Sequence, residues 1–323
     1  MAIDHDQFFK QLLRIFTFEF ILLFLPEVAA YIDPASITFL ETEVFTDLVT
    51  GERYRADIVI KARFKASAVA DSEGAFFIIH VEPQGKSQEA FPRRMFRYFS
   101  PLHLVNDLPV YPMALLTYNS PLREAPHEYK VVFPDLTPLH YSYRVIQLNR
   151  LNWRDFLRHR NPVAVALMTK MRIARKDRPR VKLECLRLLL TLKLDAARMT
   201  LIRGFMDAYL NLNAAEMAEY NREVESIEPA EREAMMQIVN EWEALGEARG
   251  EIKGRLETLV DLMQSRLGSL PADVRERLSA LGLAELKSLT LAVGGLDDLA
   301  AVRRWLDGLR GKQKRVKPKS GRP

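Results

Sequence analysis

Two acidic residues carry the first hint of chemistry in this chain. Arg53 to Phe64 and Ala75 to Glu82 are rich in β-branched and aromatic residues, and a small, polar stretch, Lys65 to Gly74, separates them. Folding one run onto the other about the middle of that stretch, without a bulge, sets Asp57 directly opposite Glu82. Strand alternation then puts Asp57, Lys61, His80, Glu82 and Gln84 on one face, and Ile58, Ile60, Phe77, Ile79 and Val81 on the other. Like charges facing each other across a ladder repel, and a hard divalent cation between them removes the repulsion. Mg²⁺ prefers one or two carboxylates plus waters, and once bound it activates water and polarises a phosphodiester. The pair therefore reads either as a metal site for hydrolytic phosphate chemistry or as two solvated acids at a strand end.

Other side chains weigh less. Arg93, Arg94 and Arg97 fall on a helical pattern just after Glu82, where they are placed to hold a backbone phosphate, with Tyr98 for stacking or core packing. Lys170, Arg172, Arg175, Lys176, Arg178, Arg180 and Lys182 face only Asp177, which reads equally as a phosphate-contacting surface or a solvated linker. His80 reads as a hydrogen-bonded strand residue and Cys185 as core. No Gly-rich phosphate loop occurs, which argues against an NTP-driven enzyme.

The elements that must position these residues follow from periodicity. Residues 7 to 25 form an amphipathic helix; three strands follow over Ile37 to Leu48, Arg53 to Phe64 and Ala75 to Glu82. Ser87 to Val105 is a helix broken by Pro101, and Val110 to Tyr118 is again a strand, with further short strands at Tyr129 to Phe133 and Tyr143 to Leu148. This predicts an α/β domain over residues 1–150. Residues 151–245 are helical throughout. Gly246, Gly250 and Gly254 suggest a joint, after which residues 246–309 make a small helical domain.

Composition bounds the rest. With 48% hydrophobic and 28% charged residues the chain is globular, and its 323 residues suit two or three domains. Its single cysteine permits no internal disulfide and fits a reducing, cytoplasmic setting. The longest apolar run, Phe16 to Leu25, contains Glu19 and ends at Pro26, so neither a membrane span nor a signal peptide is expected. The net charge of +5 is a tail effect: taking the seven Lys and Arg of residues 310–323 from the 47 in the chain leaves 40 against 42 acids. That basic stretch lacks the hydrophobes to fold and is expected to be a disordered arm contacting nucleic acid.

Asp57 within Arg-Ala-Asp-Ile-Val-Ile, and Glu82-Pro-Gln84 after Phe-Phe-Ile-Ile-His-Val, resemble the PD-(D/E)XK nuclease signature, with glutamine in the lysine position. The pattern is most similar to the recombination-promoting nuclease and putative transposase branch. His5-Asp6 with Phe9-Lys10, and Pro92-Arg93-Arg94 with Tyr98, resemble that branch's flanking helix motifs. Asn161-Pro162 through Gly204-Phe205 looks like its middle region, and residues 256–309 resemble an appended helical domain of unknown function. The resemblance implies a restriction-endonuclease-like mixed sheet flanked by helices, followed by all-α regions. It implies a Mg²⁺- or Mn²⁺-dependent DNA endonuclease related to transposition or recombination. Asp57, Glu82 and the carbonyl of Pro83 would bind the metal, Gln84 would orient the water or the scissile phosphate, and Asp6 and Lys86 would be accessory. A homo-oligomer is left open. Losing the lysine charge removes a stabiliser of the transition state, so the alternative is a nuclease-fold protein acting in nucleic-acid binding or regulation. For a metal site, removing either acid is expected to preserve or raise the stability of the metal-free fold.

Overall fold

A computed structural model describes residues 5–40, 44–46, 53–55, 57–65 and 75–315. The chain divides into two compact units, Met1–Met235 and Met236–Pro323.

The first unit opens with three short helices, α1 (His5–Ile15), α2 (Thr17–Phe24) and α3 (Pro26–Tyr31). Phe9, Leu12, Leu13 and Phe16 recur at helical spacing and are fully buried. The single helix expected over 7–25 divides at Phe16, whose φ of −121° is not helical. Proline at the first position of α3 suits a helix start, where its missing N–H is not needed.

The strands are β1 (Ile32–Phe39), β2 (Val44–Thr46), β3 (Arg53–Arg55), β4 (Ile58–Phe64), β5 (Phe76–Gln84), β6 (Val110–Leu116), β7 (Glu128–Val131), β8 (Leu139–Ser142) and β9 (Arg144–Gln147). Five of them form a mixed sheet in the order β1-β4-β5-β6-β9, while β2 pairs with β3 and β7 with β8. The β1, β4 and β5 pairings are antiparallel. β6 lies parallel to β5, and β9 parallel to β6. A parallel neighbour needs a crossover, supplied between β5 and β6 by α4 (Phe91–Asn106). That helix continues through Pro101, with Tyr98 and Leu102 on either side of it anchored in the core.

Both faces of the sheet are covered. Ile58, Ile60, Ile79 and Val81 are buried on one face. On the other, Val59 and Ile78 pack against Tyr98 and Leu102 of α4. The apolar run Phe76 to Ile79, with Val81 just beyond His80, fits a strand buried on both sides, so the polar open face expected from Asp57, His80 and Glu82 is closed over by α4.

Helices complete the unit: α5 (Pro162–Met168), α6 (Arg178–Leu190), α7 (Ala196–Tyr209), α8 (Ala214–Glu225) and the start of α9 (Pro229–Leu267). They pack onto the α/β elements. Phe205 of α7 meets Phe9 edge-on at 5.1 Å, and Asn161 donates to the Glu19 carbonyl at 2.8 Å. The molecule is thus an α/β region followed by helical regions, but the division at 150 separates kinds of element within one compact unit.

The second unit contains the rest of α9 with α10 (Ala272–Ser279), α11 (Leu283–Ala292) and α12 (Leu299–Arg315), around Leu259, Met263, Leu278, Leu286, Val302 and Leu306. Here two expectations are corrected. α9 runs without interruption through Gly246, Gly250 and Gly254. Each glycine costs about 1 kcal/mol relative to alanine, yet its neighbours are strong helix formers, and Glu251 pairs with Arg255 across one turn at 3.0 Å. α12 likewise extends through Arg315, past the boundary expected at 309. Its Arg, Lys and Gln residues favour helix, and no proline intervenes before Pro318. Residues 316–323 of the basic arm, like the centre of the 65–74 loop, lie outside the described residues. Among the described residues no helix is long and apolar enough to cross a membrane.

Candidate active site and adjoining basic cleft

The β4/β5 ladder pairs Ile58 with Val81 and Val59 with His80, the register that brings Asp57 to Glu82. Asp57 sits at a bend just before β4, and its backbone N–H donates to Glu82 Oε2 at 3.4 Å. The two acids are therefore together at one end of the hairpin. Each also meets a basic side chain. Lys10 of α1 places Nζ 2.5 Å from Asp57 Oδ1, and Arg94 of α4 places Nη2 3.5 Å from Glu82 Oε1. Glu82 is almost fully buried, with 4% of its side chain exposed, so its charge needs such compensation.

Gln84, two residues on and on the same face, accepts a hydrogen bond from Arg94 Nη2 and donates one to the Lys86 carbonyl. Arg94 also donates to Gln88 Oε1 at 2.9 Å and lies over the Phe91 ring. Of the three α4 arginines expected to hold phosphate, Arg94 points inward to the acids. Arg93 is exposed and Arg97 is half-buried.

His80 departs from its expected role as a hydrogen-bonded strand residue. It is fully buried edge-on to Tyr98, and neither ring nitrogen has a hydrogen-bond partner among the described residues. Its Nε2 lies 3.5 Å from Glu82 Oε2, outside hydrogen-bond geometry. The side chain of Asp6 lies outside the described residues, although its backbone belongs to α1.

Two carboxylates at a strand end suit a hard cation that completes its shell with water. Among the described residues no group of three or more His, Cys, Asp and Glu side chains is arranged to hold a metal. Asp57 and Glu82 fit Mg²⁺ in donor type, with Lys10 and Arg94 as competitors for their oxygens.

Pro83 and Lys86 belong to different surroundings. Strand alternation turns Pro83 away from Glu82, and both line a cleft of about 850 Å³. The cleft is built from residues following β5 (Gly85, Lys86), β6 (Thr117, Tyr118, Asn119) and β9 (Asn149), closed by Thr169 to Ile173, Arg178 and the end of α7. In open α/β sheets, ligands bind outside the carboxyl ends of parallel strands. Lys86, Lys170 and Arg172 have no carboxylate partner among the described residues, whereas Arg178 pairs with Glu216 at 3.0 Å. Lys170 donates to Asn119 Oδ1 at 2.8 Å and sits over the Tyr209 ring. Burial lowers its pKa from the ordinary lysine value. Sequence reasoning flagged the basic run but not this cleft. The run divides: Lys170, Arg172 and Arg178 enter the cleft, while Arg180 pairs with Glu184 along its own helix at 2.9 Å.

No protein-family profile, no curated protein and no solved structure matches this chain.

Proposed function

We propose that the first unit is a PD-(D/E)XK-type nuclease that hydrolyses phosphodiester bonds in DNA, with Asp57 and Glu82 holding Mg²⁺ or Mn²⁺. The observation that carries this reading is the convergence of the two acids at the end of β4 and β5, with the Asp57 amide 3.4 Å from Glu82 Oε2. The element order adds support: a helical start, three antiparallel strands, a crossover helix and a parallel strand. When bound, the ion supplies an activated water and polarises the phosphodiester. The chain's own part is to hold the two carboxylates on rigid strands. Gln84, fixed from both ends, orients the attacking water or the phosphate, and Arg94 balances charge at Glu82. A role in recombination or transposition belongs to the same reading. Nicking of supercoiled DNA by the full chain, with and without Mg²⁺, tests it; cleavage that persists in EDTA would eliminate the site.

A second reading, nucleic-acid binding without cleavage, is favoured by one observation: Lys10 and Arg94 already neutralise the two acids. DNA binding by the wild type with no nicking at any Mg²⁺ or Mn²⁺ concentration would select it.

A further inference from the structure

The cleft at the carboxyl ends of β5, β6 and β9 is separate in its chemistry from the carboxylate pair. Its lining includes Lys86, Lys170, Arg172 and Arg178, and no Asp or Glu. Among the described residues only Arg178 finds a carboxylate, so three positive charges share a concave surface without an acidic partner there. Crowding like charges in a partly desolvated site is unfavourable, and such a site focuses its field on an anion. Lys170 is partly buried there, and burial lowers its pKa from the ordinary lysine value. It is nonetheless held in place, by Asn119 on one side and the Tyr209 ring on the other.

The remaining walls say what the anion is attached to. About 850 Å³ is far more than a tetrahedral oxyanion fills, and falls in the range of small-molecule sites. Beyond the cations the lining includes the apolar and aromatic side chains of Tyr118, Leu122, Met171 and Ile173, together with the amides of Asn119 and Asn149. Asn149 is 5% exposed, and while its Nδ2 donates to the Pro121 carbonyl at 3.0 Å, its Oδ1 has no partner among the described residues. Cations for a phosphate, apolar and aromatic side chains for a ring and an unmatched acceptor for an N–H or O–H describe one ligand class.

We propose that this cleft binds a nucleoside phosphate. The proposal rests on the cleft's own residues and holds whether or not Asp57 and Glu82 support hydrolysis. The phosphate lies among Lys86, Lys170 and Arg172, and the base lies against the apolar wall. The ligand is either a free mononucleotide or one nucleotide unit of a strand.

The test is calorimetric titration of the full chain in EDTA, so that cleavage plays no part. The probes are thymidine 5′-monophosphate, inorganic phosphate, thymidine, and a 5′-phosphorylated thymidine hexamer. The nucleotide is expected to bind roughly tenfold more tightly than either phosphate or thymidine alone. A hexamer binding more tightly than the monophosphate identifies a strand as the source; equal affinity identifies the free nucleotide. The double variant Lys170→Gln/Arg172→Gln is expected to lose roughly tenfold or more in affinity. Lys86→Gln, on an exposed residue and so safe for folding, is expected to lose several-fold, about what one charged contact supplies. Asp57→Ala is expected to bind like wild type. Three results would each overturn the proposal: no binding of any phosphate probe, phosphate binding as tightly as nucleotide, or unchanged affinity in Lys86→Gln.

Discussion

The end of β5 serves two differently built surroundings. Toward α4, Glu82 and neighbouring Asp57 each have a basic partner, and Gln84 is bonded at both ends. Toward the cleft, Lys86, Lys170 and Arg172 have no carboxylate partner among the described residues. The first arrangement is electrically complete by itself; the second lacks a counter-charge among the described residues. A cation arriving at the acids must compete with Lys10 and Arg94, whereas an anion arriving at the cleft displaces no carboxylate of the described residues.

The largest expected effect comes from breaking the complete side. Glu82→Ala should reduce Mg²⁺-dependent nicking by roughly 100-fold or more, because one of two carboxylate ligands is lost. It should also lower stability by about 1–3 kcal/mol, since Arg94 is left facing the core without its acid. This reverses the expectation that removing either acid preserves or raises stability, which assumed two uncompensated charges. A nicking assay beside thermal melting checks both; full activity or a raised melting temperature contradicts the paired-acid description.

On the incomplete side, affinity for thymidine 5′-monophosphate should fall as pH rises toward the ordinary lysine range. Lys170, its pKa lowered by burial, gives up its proton before a solvated lysine does. Between its folded value and the ordinary value near 10.4, the unfolded chain binds more protons, so Lys170 makes stability rise with pH there. Lys170→Met should remove that rise and lower affinity roughly tenfold at neutral pH. Titrations and melts from pH 7 to about 10 measure both slopes.

Lys10→Met sharpens the comparison by freeing Asp57. With its competitor gone, the half-saturating Mg²⁺ concentration should fall by roughly fivefold, equivalent to about 1 kcal/mol. An unchanged requirement would show that Lys10 does not compete with the ion. The smallest effect concerns His80, which is buried with neither ring nitrogen partnered among the described residues. His80→Leu should gain about 1 kcal/mol by removing unsatisfied polar atoms, measured by denaturant midpoint. A loss would mean that His80 has a partner in solution.

The register of Asp57 and Glu82 was legible because a hairpin is local: loop centre and alternation determine it, and Ile58 does face Val81. What covers the acids was not legible. α4 and α1 bring Arg94 and Lys10 through tertiary packing, which strand periodicity does not encode. The buried second face had a signal in the unbroken apolar run from Phe76 to Ile79, which outweighed the polar residues interleaved after it. The cleft was the least legible part, since its residues come from loops after β5, β6 and β9 and from helices after residue 168. Only its basic run stood out, and that run divides between the cleft and ordinary helix pairs. The glycines of α9 misled in the opposite sense: local breakers read as a joint sit in a continuous helix.

The packing of Phe9 and Phe8 on Phe205 dictates an order of events during synthesis. Nearly two hundred residues separate α1 from α7, which at about 5–20 residues per second means about 10–40 s between their appearances. Throughout that interval the apolar face of α1 can meet α2 and β5 but lacks the part of its seat that α7 supplies, and the mixed sheet lacks part of its cover. A fragment ending near residue 150 freezes this stage permanently and is expected to aggregate, while a chain reaching Met235 folds. The beginning of this protein thus waits for its middle, and chaperone dependence should fall sharply once α7 has emerged.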